Sequence, residues 1–169
     1  LVEYYDKYTS VSGLEGIVFD QNGKKIKKIK ADEFLDVSAI SGFSIYEDNR
    51  KKVAYPKVGN YPYTVEYEYQ IKHKKFMVLP GWYVFPDYNV AIQKSVYTLV
   101  TEPNAKVSYT GNEKFYIKPE ITEEKGLKTT IWKVENLTAL EDEPYSGAFS
   151  ETTPKLLIVP EAFEMDGYK

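Results

Sequence analysis

Hydrophobic and polar positions alternate with a period of two along much of the chain, the pattern of a strand with one packed face and one wet face. The clearest run is YPYTVEYEYQIKHK. Tyr63, Val65, Tyr67, Tyr69, Ile71 and His73 fall on one face, and Thr64, Glu66, Glu68, Gln70 and Lys72 on the other. A second long strand is predicted through YNVAIQKSVYTLVTEP, rich in the β-branched and aromatic residues that strands favour, stopping at Pro103-Asn104. LEGIVFD and KKIKKIK flank Gln21-Asn22-Gly23, which predicts a hairpin closed by an Asn-Gly turn. KFYIKPEI and LKTTIWKVENL flank TEEKG in the same way, with Gly126 free to adopt positive φ. Shorter strands are predicted at SIYED and KKVAY around Asp48-Asn49, at KVSYT near Lys106, and at KLLIVPE from Lys155. Only ADEFLDVSAI, Ala31 to Ile40, could hold a helical turn, and its β-branched residues and the following Ser41-Gly42 keep that turn brief.

The total is about eight to ten short strands, separated by turn signals at the spacing expected of a sandwich or barrel. No repeat, low-complexity tract or linker interrupts the 169 residues. The expected fold is therefore all-β: one antiparallel β-sandwich domain over residues 1–169, with little helix. The chain opens on Leu1 rather than Met, which a processed product or a fragment of a larger multidomain protein would each explain.

Charge removes some functions. There are 22 basic and 25 acidic residues, a formal net charge of −3, and Arg50 is the only arginine. Lysine-dominated basicity reads as a solvated surface, because planar bidentate recognition of phosphate or guanine favours arginine. Nucleic acid is not an expected partner. No window approaches the 18 or more apolar residues of a membrane helix, since FMVLPGWYVF is short and broken by Pro80-Gly81. The absence of cysteine excludes disulfides, thiolate metal sites and a cysteine nucleophile in this chain. With His73 as the single histidine, no multi-histidine metal site forms, and no cofactor is expected.

The remaining chemistry is weighed residue by residue. His73 lies on the core-side parity beside lysines and has no local partner for general base work, so it reads as structural. Glu66 and Glu68 share a strand face, but an i, i+2 pair lies side by side and does not flank a sugar ring as two glycosidase carboxylates must. Cross-strand lysines are their expected partners. Glu141-Asp142-Glu143 lacks the spaced ligands and turn glycine of a calcium loop, and Asp20-Gln21-Asn22-Gly23 reads as the hairpin turn. Asn136-Leu137-Thr138 fits the glycosylation sequon, a short pattern. The surplus lies in aromatics, at 15% of residues. Trp82, Tyr83, Phe85 and Tyr88 crowd one Pro-Gly-containing segment and form the candidate interaction patch, either for a protein or peptide or, as an exposed coplanar strip, for a glycan. Core filling is the competing reading.

At LKTTIWKVENLTALEDEPYSGAFSETTPKLLIV the sequence resembles a known bacterial family, on Trp132, Asn136-Leu137, Leu140, Glu143-Pro144-Tyr145 and Pro154. It is the domain of unknown function that precedes transglutaminase-like domains, the transglutaminase-like N-terminal domain. Glu66 to Tyr69 within YPYTVEYEYQI are similar to that family's E-Y-E-Y strand, and LPGWYVFPDYNV and VYTLVTEPNAKVSY to its aromatic-proline segment and following strand. FDQNGKKIKKIKADEFLDVSAISGFSIYEDNR is similar to its early region. The resemblance implies a β-sandwich outside the cytoplasm, periplasmic or at the cell surface. It also implies an adjacent transglutaminase-like domain in the same polypeptide that carries the Cys/His/Asp triad. This chain is then a non-catalytic accessory domain acting in interaction or substrate presentation, the alternative being a carbohydrate-binding module built on Trp82. The family usually begins with one or two strands ahead of LVEYYDKYTS, so the resemblance also implies an uncovered sheet edge here and a strand-mediated dimer.

Overall fold

The structure, a computed structural model, describes residues 1–39, 49–74, 79–111 and 115–161. Its contacts gather into two compact units, Leu1–Phe76 and Met77–Lys169.

The first unit holds β1 (Val2–Tyr5), β2 (Thr9–Phe19), β3 (Lys25–Ile29), β4 (Leu35–Ser38), β5 (Arg50–Val53) and β6 (Thr64–His73). They form two antiparallel sheets, ordered β3-β2-β6 and β1-β5-β4. The Asn-Gly hairpin is present: Asp20 Oδ1 accepts from the backbone N–H groups of Asn22 and Lys24, each at 2.9 Å, and Gly23 sits at φ +75°. Along β2 the register with β6 shifts between Ser12 and Glu15. Gly13, at φ +64°, occupies that shift, as a bulge that demands left-handed backbone favours. The alternation read along β6 holds from Thr64 to Gln70, with Val65, Tyr67 and Tyr69 half-buried and Glu66 and Glu68 exposed, and breaks at Ile71, which is exposed although read on the packed face. These side chains pack against a core of Leu14, Val18, Ile29, Phe34 and Ala54. Gly16 is required where β2 crosses β6, because a Cβ there would stand 3.0 Å from the Tyr67 ring and 3.2 Å from Ile29. The segment from Ala31 divides in two, a single 3-10 turn over Ala31–Glu33 and then strand β4. The Glu33 carboxylate accepts from the Lys30 N–H at 3.1 Å and fixes that turn. The strand expected at SIYED lies outside the described residues, while KKVAY supplies β5.

The second unit holds β7 (Leu79–Tyr83), β8 (Ile92–Thr101), β9 (Val107–Gly111), β10 (Glu120–Glu124), β11 (Leu127–Leu137), a four-residue helix (Phe149–Thr152) and β12 (Lys155–Pro160). Its sheets are ordered β7-β12-β9 and β10-β11-β8, again antiparallel. The second hairpin closes on Lys125 and Gly126, at φ +52° and +75°, a two-residue turn whose hand matches strand twist. Its first arm begins at Glu120, later than read from KFYIKPEI. The core is Trp82, Val84, Phe85, Trp132, Leu156 and Ile158, drawn from both sheets.

The fold is thus all-β and antiparallel, as expected, with twelve strands among the described residues against the eight to ten expected. Three strands go beyond those expected: β1, β4, read as a helical turn, and β7, read as a Pro-Gly-containing aromatic segment. Among the described residues no helix is long and apolar enough to cross a membrane.

Candidate functional site

In the second unit the aromatic residues form a continuous stack. The Trp82 and Tyr97 rings lie 6.4 Å apart, Tyr97 stands edge-on to Trp132 at 6.0 Å, and Tyr109 stands edge-on to Trp132 at 5.1 Å. Strand register builds it: Tyr97 on β8 is directly opposite Trp132 on β11. The polar tips are mostly satisfied. Trp82 Nε1 donates to Ser95 Oγ at 2.8 Å, and the Tyr97 hydroxyl donates to the Pro80 carbonyl at 2.9 Å. Burial pushes the Tyr97 hydroxyl above the usual phenol range. Trp132 differs. It is 1% exposed, yet its indole N–H finds no acceptor among the described residues.

Trp132 also lines a cleft of about 270 Å³ at the end of the β7-β12-β9 sheet, where Gly111 pairs with Leu156. Tyr109, Phe115, Tyr116, Ile117 and Leu156 supply its other apolar walls. Gly111 lets β9 approach β12 closely, since a Cβ there would stand 2.8 Å from the Lys155 carbonyl oxygen. Tyr116, 79% exposed, stands at the mouth. Among the described residues no Asp, Glu or His lines the cleft, and Thr110 and Lys155 are the polar residues on its wall. Its described walls are mostly aromatic and apolar, which suits holding a group rather than transferring a proton.

The residues singled out from sequence fall elsewhere. Trp82 and Phe85 are core residues, Tyr83 is exposed on the opposite face of β7, and half-buried Tyr88 packs edge-on to Phe149 at 4.6 Å. The four therefore do not make an exposed coplanar strip, which corrects the expected patch. The reason is local. Pro80-Gly81 lies within β7 rather than in a loop, and β7 is a sheet edge, where a proline costs no ladder hydrogen bond. Alternation then turns Trp82 and Val84 inward.

Elsewhere, His73 is half-buried opposite Thr9, whose hydroxyl lies 3.4 Å from Nδ1. Glu66 and Glu68 face Ile17 and Glu15 across the strands, and on this sheet it is Glu15 that pairs with a lysine, Lys28, at 2.7 Å. Glu141, Asp142 and Glu143 are exposed, and among the described residues no group of three or more His, Asp or Glu could hold a metal ion. Asn136 is exposed in β11 at φ +56°.

The single arginine serves an internal carboxylate. Arg50 Nε reaches Asp36 Oδ1 at 2.9 Å, Lys52 Nζ reaches Oδ2 at 2.9 Å, and the Tyr5 hydroxyl donates to Asp36 at 2.8 Å. Lys52 first, then Tyr5 and Arg50, hold the Asp36 carboxyl down at about 2. These groups come from three neighbouring strands, β1, β5 and β4, and clamp the open face of their sheet.

Comparison with curated proteins finds no significant match. Among solved structures, the chain is similar to a protein from Parabacteroides distasonis ATCC 8503 described as a "putative protease". The TM-score is 0.76 at 13% identity, over 95% of this chain but 32% of that one. At that identity the likeness is one of fold, and this chain spans about a third of the other protein's length. A family model, described as a domain of unknown function with solved structure, matches residues 1–141 and so reaches across both units. The chain belongs to that family, DUF3857.

Proposed function

We propose that this chain is a non-catalytic interaction domain of a longer exported bacterial protein, holding a partner or substrate for a transglutaminase-like, papain-like domain in the same polypeptide. The observation that carries the reading is the cleft at Trp132, whose described walls are mostly aromatic and apolar, with Thr110 and Lys155 beside them, and include no Asp, Glu or His. Supporting it, the sequence has no cysteine, so a papain-like nucleophile would have to come from another domain. The similarity to about a third of a longer protein described as a protease fits the same arrangement. A glycan module on Trp82 has lost its geometry, since two of its four rings are buried.

The test compares the full-length polypeptide with the same protein lacking residues 1–169, using casein as substrate. Loss of substrate holding raises KM about tenfold with kcat little changed, because a binding contribution made equally in ground and transition states is removed. Turnover by the isolated 169-residue chain, or an unchanged kcat/KM after deletion, overturns the reading. Cell fractionation of the native host tests export, and a cytoplasmic pool alone would remove that part.

A further inference from the structure

We infer that two copies of this chain pair through the free edge of β8, antiparallel about a two-fold axis at Thr98, so that two three-stranded sheets join into one; this goes beyond the interaction role above and does not depend on it. β8 is the last strand of its sheet, bonded to β11 alone among the described strands. It runs ten residues, Ile92–Thr101, and its register against β11 is unbroken from Lys94 to Thr101. A long, regular edge is a template for another strand unless charge, proline or a bulge blunts it.

Other edges of the molecule carry those devices. β10, the opposite edge of the same sheet, has three glutamates in five residues. β3 has three lysines and a register shift, and β7 contains Pro80-Gly81. β6, the other ten-residue edge, turns Glu66, Glu68 and Lys72 to water. β9 is uncharged but half as long as β8. From Ser95 to Thr101, β8 has seven consecutive residues without charge, proline or glycine. On its solvent side Val96 and Val100 are 44% and 53% exposed.

Charge selects the second copy as the partner and sets the register. A continued sheet keeps its core-side residues on one side, so odd positions meet odd and even meet even. With Thr98 facing its own counterpart, Tyr97 meets Leu99 of the second copy, Val96 meets Val100, Ser95 meets Thr101, and Lys94 meets Glu102. Threonine, β-branched and opposite-charge pairs directly across a ladder are stabilising. The two charges are not engaged by the ladder itself. Glu135, which faces Lys94 on β11, is held by Lys133 at 2.8 Å, and neither Lys94 nor Glu102 has an ion pair among the described residues. Two-fold symmetry forms the Lys94–Glu102 pair twice. An axis at Tyr97 or Leu99 instead sets one of these charges against a valine. Growth then stops at the dimer, because both outer edges of the joined sheet are acidic β10 strands.

The chain has no cysteine, so one introduced thiol reports on the axis. Thr98→Cys, oxidised with copper phenanthroline, is expected to crosslink two copies, since Cα atoms directly opposite across a ladder lie about 4.5–5.5 Å apart, within disulfide reach. Thr122→Cys, on the same sheet face but on β10, should stay uncrosslinked. Sedimentation equilibrium of the unaltered chain should give twice the 19.5 kDa of one copy. Lys94→Glu and Glu102→Lys should each weaken the dimer about tenfold, because two attractive pairs become repulsive. The double variant should return to within about threefold of the original dissociation constant, a rescue that a folding defect would not show. A 19.5 kDa species at millimolar concentration, equal crosslinking at positions 98 and 122, or no recovery in the double variant overturns the pairing.

Discussion

The two units solve the same problem with different side chains. Each closes a core between three-stranded antiparallel sheets. In the first, the buried residues are mostly small and aliphatic, Leu14, Val18, Ile29 and Ala54 around Phe34. In the second they are dominated by rings, Trp82, Phe85 and Trp132. Branched aliphatic groups interdigitate closely, whereas flat rigid rings meet edge to face and fill space less adaptably. Each unit also buries one polar atom with no partner among the described residues, the Tyr67 hydroxyl in the first and Trp132 Nε1 in the second. Of these two residues only Trp132 lines the cleft described above.

That contrast can be broken most directly by truncation in each core. Trp132→Ala should cost about 3–5 kcal/mol and Ile29→Ala about 2–5 kcal/mol in urea unfolding. A cost at Trp132 no larger than that at Ile29 would mean that the ring-built core holds its unit no more firmly than the aliphatic one.

Next come the two tight glycines. Gly16→Ala and Gly111→Ala should each destabilise by about 1–3 kcal/mol by overpacking. Gly111→Ala should lie at the upper end, because its new Cβ meets a backbone oxygen at 2.8 Å, while that of Gly16 meets a ring that can turn. Thermal unfolding of both variants gives the order, and the reverse order would show that the Tyr67 ring is the more rigidly held neighbour.

A smaller effect concerns acid. Asp36 has its pKa lowered from 3.8 to about 2 in the folded chain. Its stabilising contribution is therefore complete above the unfolded pKa near 3.8, and is lost as pH falls through about 2. Melting temperature should drop across that window, and Asp36→Asn should flatten the drop. Glu33 and Asp6 are lowered as well, so a residual acid step remains in the variant. An unchanged profile would show that the Tyr5, Arg50 and Lys52 clamp adds nothing in solution.

The smallest effect is expected at the other orphan atom. Tyr67→Phe removes a buried hydroxyl without a partner and should leave stability within about 1 kcal/mol, or raise it slightly. Burial raises the Tyr67 pKa above 10, so the folded chain favours the neutral phenol. That contribution is present below pH 10 and lost as pH rises through the folded value, and Tyr67→Phe should reduce the loss. A large destabilisation in this variant would mean that the hydroxyl has a partner after all.

Much of the fold was legible because its signals are local. The period-two faces of β6 are visible in Tyr67 and Glu68, and Asn22-Gly23 marks the first hairpin through its need for positive φ. β7 was harder, because Pro80-Gly81 reads as a loop until the strand is known to lie at an edge. β4 was obscured by the 3-10 turn that precedes it. For the site, the aromatic surplus pointed to the correct half of the chain but to the wrong rings. The signal that could have redirected attention was Tyr109, Phe115 and Tyr116 flanking Gly111, three aromatics around one glycine.

The sequence by itself determined the all-β class, the two hairpins, the strand-face placement of its tyrosines and the absence of a cysteine nucleophile, because each follows from residue type or from neighbours in the chain. Only the tertiary structure decided that Trp82 and Phe85 turn inward, that Arg50 binds Asp36, and that Trp132 meets Tyr109 and Phe115 at a cleft. Those outcomes depend on which strands become edges and which side chains meet across sheets. Such long-range choices are set by the sum of many weak contacts, and no single stretch of the chain encodes them.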